Sequence, residues 1–291
     1  PVLGAKLVSD ITLQDVLKVL EPIWQSKTET ASRVRGRIES VLSWATVAGH
    51  RSGDNPARWK GNLSEILPKP GKVARADNQP ALALVDAPRW WVELGKREGI
   101  AARALEFLVL TAARSGEVRG ATWDEVPAAT LATTATWTIP AARMKAEREH
   151  RVPLTAAAVA ILKGLPQRDD SPYIFHAPRG GPLSDMALSA VMRRMQEAAE
   201  PAGNPGCLDS RSKRPAVPHG LRSTFRQWTA EQGYPRDMAE LSLAHHVGSE
   251  VERAYQRSDM LERRRAMMAA WTDFLQGEGL AGNVLRLGGD R

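Results

Sequence analysis

The 291-residue chain (31.8 kDa) is 43% hydrophobic and 25% charged, ordinary for a soluble globular protein and long enough for two domains. A net charge of +7 and a pI near 9.8 favour a polyanionic partner, nucleic acid ahead of an anionic membrane, although a basic enzyme without such a partner has the same balance. The single cysteine, Cys207, excludes a disulfide framework and a cysteine-based zinc site and fits a reducing, cytoplasmic setting; no long apolar run and no signal peptide occurs.

The chain opens on Pro1 rather than Met, as a fragment lacking an N-terminal part would. Thr12-Leu-Gln-Asp15 has the chemistry of a capping box, and Ile11, Leu13, Val16, Leu17 and Leu20 form a helical stripe that Pro22 ends or bends. Thr30 is the expected N-cap of a second helix over Glu29–Gly49, where Val34, Ile38, Val41, Leu42 and Ala45 share a face. Arg33, Arg35 and Arg37 lie early in it and cannot all share one face; phosphate contact and plain solvation are equally open for them. After a turn-rich break at Gly49–Pro56, a short helix is expected at Leu63–Leu67. Pro68–Pro80, rich in proline and carrying Lys69, Lys72 and Arg75, reads as a linker suited to a chain that wraps a duplex. The expected organisation is a helical domain over 1–70, a linker over 71–80, a second domain over 81–276 and a flexible tail over 277–291.

The second domain opens with Asp86 as N-cap and Pro88 in the first turn. Ile100–Thr111 reads as a buried helix, and Arg114 follows it beside Gly116; pairing with Glu117 and a functional role are both open to that arginine. Thr134–Pro140 and His150–Leu154 read as a β-hairpin around a basic turn, Arg143-Met-Lys145-Ala-Glu-Arg148. There follow a helix at Thr155–Leu165, a strand at Pro172–His176, a helix from a Ser184 cap to Ala199, and a Pro201–Pro218 loop with Arg211, Lys213 and Arg214 as phosphate-contact candidates. His219 and Arg222 share one face of a helix over His219–Gln232. A helix at Arg236–Ala244 breaks at His245-His246-Val-Gly248, and Ser249 or Glu250 starts another through Tyr255, a segment expected to be mobile without DNA. The terminal helix, Leu261–Leu275, has Met267, Met268, Trp271 and Phe274 on its apolar side and Arg263–Arg265 on the other. The fold class is therefore mainly α with a small antiparallel β-sheet (α+β).

Tyr255 is one of three tyrosines, with two histidines and two arginines close by in sequence. A phenol with a pKa near 10 is about a thousandth ionised at neutral pH, so attack on phosphorus needs a base or cations that stabilise the phenolate. Paired arginines suit the non-bridging oxygens of the transition state, and the leaving oxygen needs a proton donor. Rival chemistries are less complete. The chain has no Gly-x-x-x-x-Gly-Lys-Ser/Thr loop and no His-Glu-x-x-His; His245-His246 lacks a carboxylate at ligand spacing; Asp124-Glu125 and Asp169-Asp170 give weak support to a two-metal nuclease. Taken alone, His219 and Arg222 also fit a hydrogen-bonded histidine beside a surface arginine.

The ordered set Arg114, Lys145, His219-x-x-Arg222, Leu-Ala-His245 and Tyr255 resembles the signature of the tyrosine recombinase (phage integrase) family, and Ala254-Tyr255-Gln-Arg257-Ser-Asp259 its prophage and genomic-island members. Lys27–Glu39 and Asn55-Pro-Ala-Arg-Trp59 resemble that family's helical core-binding domain. The resemblance implies attack by Tyr255 to form a 3′-phosphotyrosyl link, Arg114 and Arg222 holding the phosphate, His245 donating a further hydrogen bond, Lys145 as general acid, His219 as proton acceptor and Glu117 orienting Arg114. The Leu-x-His pattern and the spacing from Arg222 select His245, whereas the spacing to Tyr255 selects His246, the alternative. Also implied are double-stranded attachment-site DNA, a homotetramer on that DNA and a monomer without it, accessory DNA-bending or excision factors, and no metal, ATP or other cofactor. The family's further N-terminal arm-binding domain has no counterpart in these residues. Topoisomerase IB-like relaxation and a catalytically silent DNA-binding relic remain the alternatives.

Overall fold

The computed structural model describes residues 2–73, 78–199, 206–248 and 258–278, and its chain divides into two compact units, Pro1–Asn78 and Gln79–Arg291. In the first unit, α1 (Leu13–Trp24) begins at a reciprocal capping box. The Thr12 hydroxyl accepts from Asp15 N, and the Asp15 carboxylate accepts from Thr12 N. Pro22 lies inside this helix, which ends two residues later. α2 (Thr28–Val47) starts earlier than expected and has no side-chain cap; the Thr28 hydroxyl instead donates to the Trp24 carbonyl at 2.8 Å, tying the two helices together. Val16, Leu20, Trp24, Ala31, Leu42, Ala57 and Leu63 make the core.

The start of the expected linker is folded onto this unit. The Trp24 indole donates to the Pro68 carbonyl at 2.9 Å, and α3 (Pro70–Val73) packs Val73 against the core.

The second unit is built on α5 (Ile100–Thr111), whose apolar residues are buried almost all round. Against it pack α4 (Ala87–Gly95), α6 (Ser115–Arg119), α8 (Ala156–Lys163), α9 (Ala187–Ala199) and α12 (Leu261–Gln276), and the unit also holds α7 (Ala128–Thr133), α10 (Gly220–Glu231) and α11 (Arg236–Ser242). One antiparallel hairpin, β1 (Thr136–Ile139) with β2 (His150–Pro153), pairs Trp137 with Val152 and Ile139 with His150. This is the mainly helical α+β fold expected, with an additional short helix, α7, an α9 that begins at Ala187 rather than directly after Ser184, and two further local differences. Pro172–His176 is not a strand but forms single bridges, Tyr173 to Thr122 and His176 to Pro182. Its Thr122 partner turns at once into a 3₁₀ turn at Trp123–Glu125, so no ladder can extend; the apolar Ile174 and Phe175 are core residues. Second, Arg264 does not share the solvent face expected for Arg263–Arg265: it is only 1% exposed. Among the described residues, no helix is long and apolar enough to cross a membrane.

Candidate functional site

Two helix starts and one helix end of the second unit bring Arg114, Arg222 and His245 together. α5 ends at Ala112 in the left-handed conformation (φ 51°), which turns the chain so that Arg114 becomes the N-cap of α6. Glu117, buried in the first turn of α6, accepts from the Arg114 backbone N–H and from Arg114 Nη1, each at 2.7 Å. The carboxylate thus aims the guanidinium, which also reaches the Ala244 carbonyl at 3.4 Å.

Arg222 enters from α10 and is buried. Nη1 donates to the Ala112 carbonyl, and Nη2 donates to the Leu243 carbonyl and approaches His245 Nε2 at 3.2 Å. The carbonyls of Ala112 and Ala244, both left-handed non-glycine positions, therefore each hold one arginine. Such positions cost about 1 kcal/mol or more and persist where the surroundings over-determine them. Burial first, then repulsion from Arg114, lowers Arg222 to about 10, against the pull of Glu117 and Glu240. It stays charged at neutral pH, yet no carboxylate among the described residues pairs with it directly. A buried guanidinium whose partners are carbonyls and an imidazole is a site for an anion.

His245 follows α11. Its Nδ1 lies 2.7 Å from Glu240 Oε2, and Glu240 Oε1 also accepts from Arg226 Nε at 2.9 Å. Burial opposes ionisation of Glu240, but these two bonds hold its carboxyl below the usual range. An Nδ1–H donated to Glu240 leaves Nε2 as the ring nitrogen that faces Arg222. Among the described residues His246 makes no such bond; both histidines line a small cleft with Met144, His150 and Ser258.

His219 is the N-cap of α10 and is exposed. The part of the ring that is shielded, then Arg222, Arg114 and His245, lowers its pKa below the ordinary histidine value, which favours the neutral ring. Gly220 beside it is obligatory: a Cβ there would lie 1.8 Å from the Pro80 carbonyl oxygen, because Pro80–Leu82 crosses the start of α10. Val217 N donates to that oxygen and the Thr224 hydroxyl to Leu82 O.

Lys145 stands exposed in the turn between β1 and β2, apart from any hydrogen bond or ion pair among the described residues. Its neighbour Arg143 is no free basic tip. It pairs with buried Glu125 and donates to the Glu117 carbonyl, anchoring the turn beneath α6. Glu125 also accepts from the Trp137 indole, and Asp170 is paired with Arg168, so both acidic pairs seen in the sequence have structural partners. Tyr255, Arg257 and the helix expected to carry them lie outside the described residues, as does Arg75.

The remaining DNA-contact candidates differ in kind. Arg35 is engaged internally, with Glu39, with the Ala57 carbonyl at 3.1 Å and over the Trp59 ring at 5.9 Å, which leaves its guanidinium little to offer a phosphate. Arg33 pairs with Glu29 on the surface, and Arg37 and Lys72 are exposed. Arg211 and Lys213 project from a turn wound around Asp209, which bonds to Ser212, Ala81 and Arg211 backbone groups and is held down to about 2.

Two residues missed in the sequence complete the surroundings. Glu240 has no local signal, because its partner lies beyond a helix end. His150 did have one, since alternation with buried Val152 and Leu154 points it inward. Burial, then Arg264, Arg222 and Arg114, pushes its pKa down to about 3, opposed by a hydrogen bond to the Ser242 backbone.

The described fold is similar to that of lambda integrase residues 75–356, solved as a dimer bound to a COC′ core site, with a TM-score of 0.58 and 17% identity over 84% of this chain and 82% of that one. The phage integrase central domain matches residues 1–62 and the phage integrase family matches residues 88–262, and this chain belongs to the phage integrase family. Prophage integrases IntA and IntZ of Escherichia coli K12 are each 31% identical to it, over 98% and 97% of this chain. The chain spans 64% of the length of both relatives.

Proposed function

We propose that this chain is a site-specific DNA recombinase that integrates or excises a mobile element through a 3′-phosphotyrosyl intermediate, needing neither metal nor ATP. The observation that carries this reading is Arg222: a buried, charged guanidinium that pairs with no carboxylate among the described residues, flanked by Arg114 and His245. A phosphodiester supplies the missing anion, and fixed donors in a site shielded from water stabilise the charge that builds on its non-bridging oxygens.

In the proposed step, the Tyr255 oxygen forms a bond to phosphorus and the 5′-oxygen leaves. The phenolic proton passes to His219, which is kept neutral and so able to accept it. Lys145 protonates the leaving 5′-oxygen. His245, which we favour over His246 because it approaches Arg222, is assigned a hydrogen bond to a phosphate oxygen, with Glu240 at Nδ1 orienting the ring. The 5′-hydroxyl of a partner strand reverses the reaction and conserves the phosphodiester energy.

The partner is double-stranded attachment-site DNA, bound as a homotetramer and helped by accessory factors in the bacterial cytoplasm. The units over 1–78 and 79–291 act as the core-binding and catalytic domains, with Arg33, Arg37, Lys72, Arg211 and Lys213 contacting backbone phosphates. The test is a nicked duplex carrying a candidate attachment site, on which cleavage loses a short strand and traps the protein. A covalent adduct is expected, absent in Tyr255→Phe and unaffected by EDTA. Site binding without an adduct would indicate a silent relic, and relaxation of supercoiled DNA without exchange between paired sites a topoisomerase.

A further inference from the structure

Immediately downstream of the Tyr255 segment, one carboxylate is held from two directions. Asp259 receives a two-point fork from Arg151 of β2, Nε to Oδ2 and Nη2 to Oδ1, each at 2.9 Å. This planar match fixes direction as well as distance. Asp259 Oδ1 also accepts from Leu261 N at 3.3 Å at the start of α12. Its backbone carbonyl meets Arg264 Nη1 at 3.4 Å, and Arg264 Nε donates to the Ser242 hydroxyl at 3.1 Å. Ser242 closes α11, just before His245, and its backbone bonds to His150. Between Asp259 and α12, Met260 takes φ 54°, a conformation that side chains rarely adopt. Residue 259 is therefore fixed through its side chain, its carbonyl and the turn that follows.

We propose that the Arg151–Asp259 pair, backed by buried Arg264, is a positioning device that ties the end of the Tyr255 segment to the hairpin that carries the Lys145 turn. This rests on the roles given above to Tyr255 and Lys145. Tyr255 is four residues before Asp259 in sequence, and Lys145 six residues before Arg151. Neither Arg151 nor Asp259 touches the reacting atoms in this scheme. Their pairing limits the volume that nucleophile and acid explore, and so raises the fraction of time both are in reach of one phosphate. A contribution to stability alone is a poor explanation: the side chains are 44% and 29% exposed, and pairs that open to solvent contribute little.

The experiment compares wild type, Asp259→Asn, Arg151→Gln, the double variant and the charge swap Arg151→Asp with Asp259→Arg, in three measurements. These are single-turnover adduct formation on the nicked duplex at saturating protein, DNA affinity by anisotropy, and hydrogen exchange of the free protein. Each single variant is expected to slow adduct formation about ten- to a hundredfold, with affinity unchanged within about threefold. The double variant should be no slower than the worse single, and the swap should recover part of the rate. Exchange should quicken in peptides covering 144–149 and 249–257 but not in α5. Wild-type rates in both single variants, additive losses in the double variant, or exchange unchanged in both peptides overturns the proposal. If wild type forms no adduct, the recombinase reading fails by itself, and the exchange comparison still decides whether the pair tethers both segments.

Discussion

Replacing Glu117 with glutamine keeps the shape of the side chain but removes one of its two acceptor oxygens. The carboxylate holds Arg114 at two places, the backbone N–H and Nη1, both at 2.7 Å. The backbone donor cannot move, so the remaining amide oxygen stays with it, and the amide NH₂ then faces Nη1, donor against donor. A hydrogen bond to a charged group is worth about 1.5–3 kcal/mol, and the 26% exposure of the Arg114 side chain argues for the lower part of that range. The expected loss is about 2 kcal/mol, or roughly 4–8 °C in melting temperature for a unit of about 200 residues. The effect on chemistry is larger, because the arginine keeps only a 3.4 Å contact with the Ala244 carbonyl to aim it. Adduct formation on the nicked duplex should fall by about 10²-fold, in the range seen when one fixed transition-state donor is lost. Thermal melting and single-turnover cleavage are the assays. Wild-type values in both would refute the idea that Glu117 orients Arg114.

Two further perturbations separate packing from electrostatics. Gly220→Ala places a methyl group on the Pro80 carbonyl, backbone against backbone, so it should cost about 3 kcal/mol or more, read as a lower urea midpoint; an undiminished midpoint would mean that Pro80–Leu82 does not cross α10 as described. His150 is held down to about 3 by burial and then by Arg264, Arg222 and Arg114, against an ordinary value of 6.5. Between those values the unfolded chain binds a proton that the folded chain refuses. The stability His150 contributes is thus fully present above pH 6.5 and lost as pH falls toward 3, at up to about 1.4 kcal/mol per unit. His150→Gln should flatten the fall in denaturation free energy between about pH 6.5 and 5 relative to wild type. Parallel slopes would show that the ring is not buried in its neutral form.

What could be read in the chain is what short-range physics decides. The capping box at Thr12 and Asp15, the buried run of α5, the alternation of the hairpin and the helical spacing of His219 and Arg222 each rest on neighbours within a few residues. The order of Arg114, Lys145, His219, Arg222, His245 and Tyr255 points to a candidate site only through its resemblance to a family signature. The tertiary structure decided which charges are buried and what they meet. Arg222 touches Ala112, 110 residues away in sequence, and Arg151 meets Asp259 across 108. Arg264 and Arg265 are indistinguishable in local pattern, yet the first is sealed beside Ser242 and the second bonds the edge of the hairpin. Arg35 read like Arg37 until Glu39, Ala57 and Trp59 claimed it. Helical periodicity says which residues share a face, but the worth of a charge depends on the dielectric and the partners that folding brings to it, and those come from distant parts of the chain.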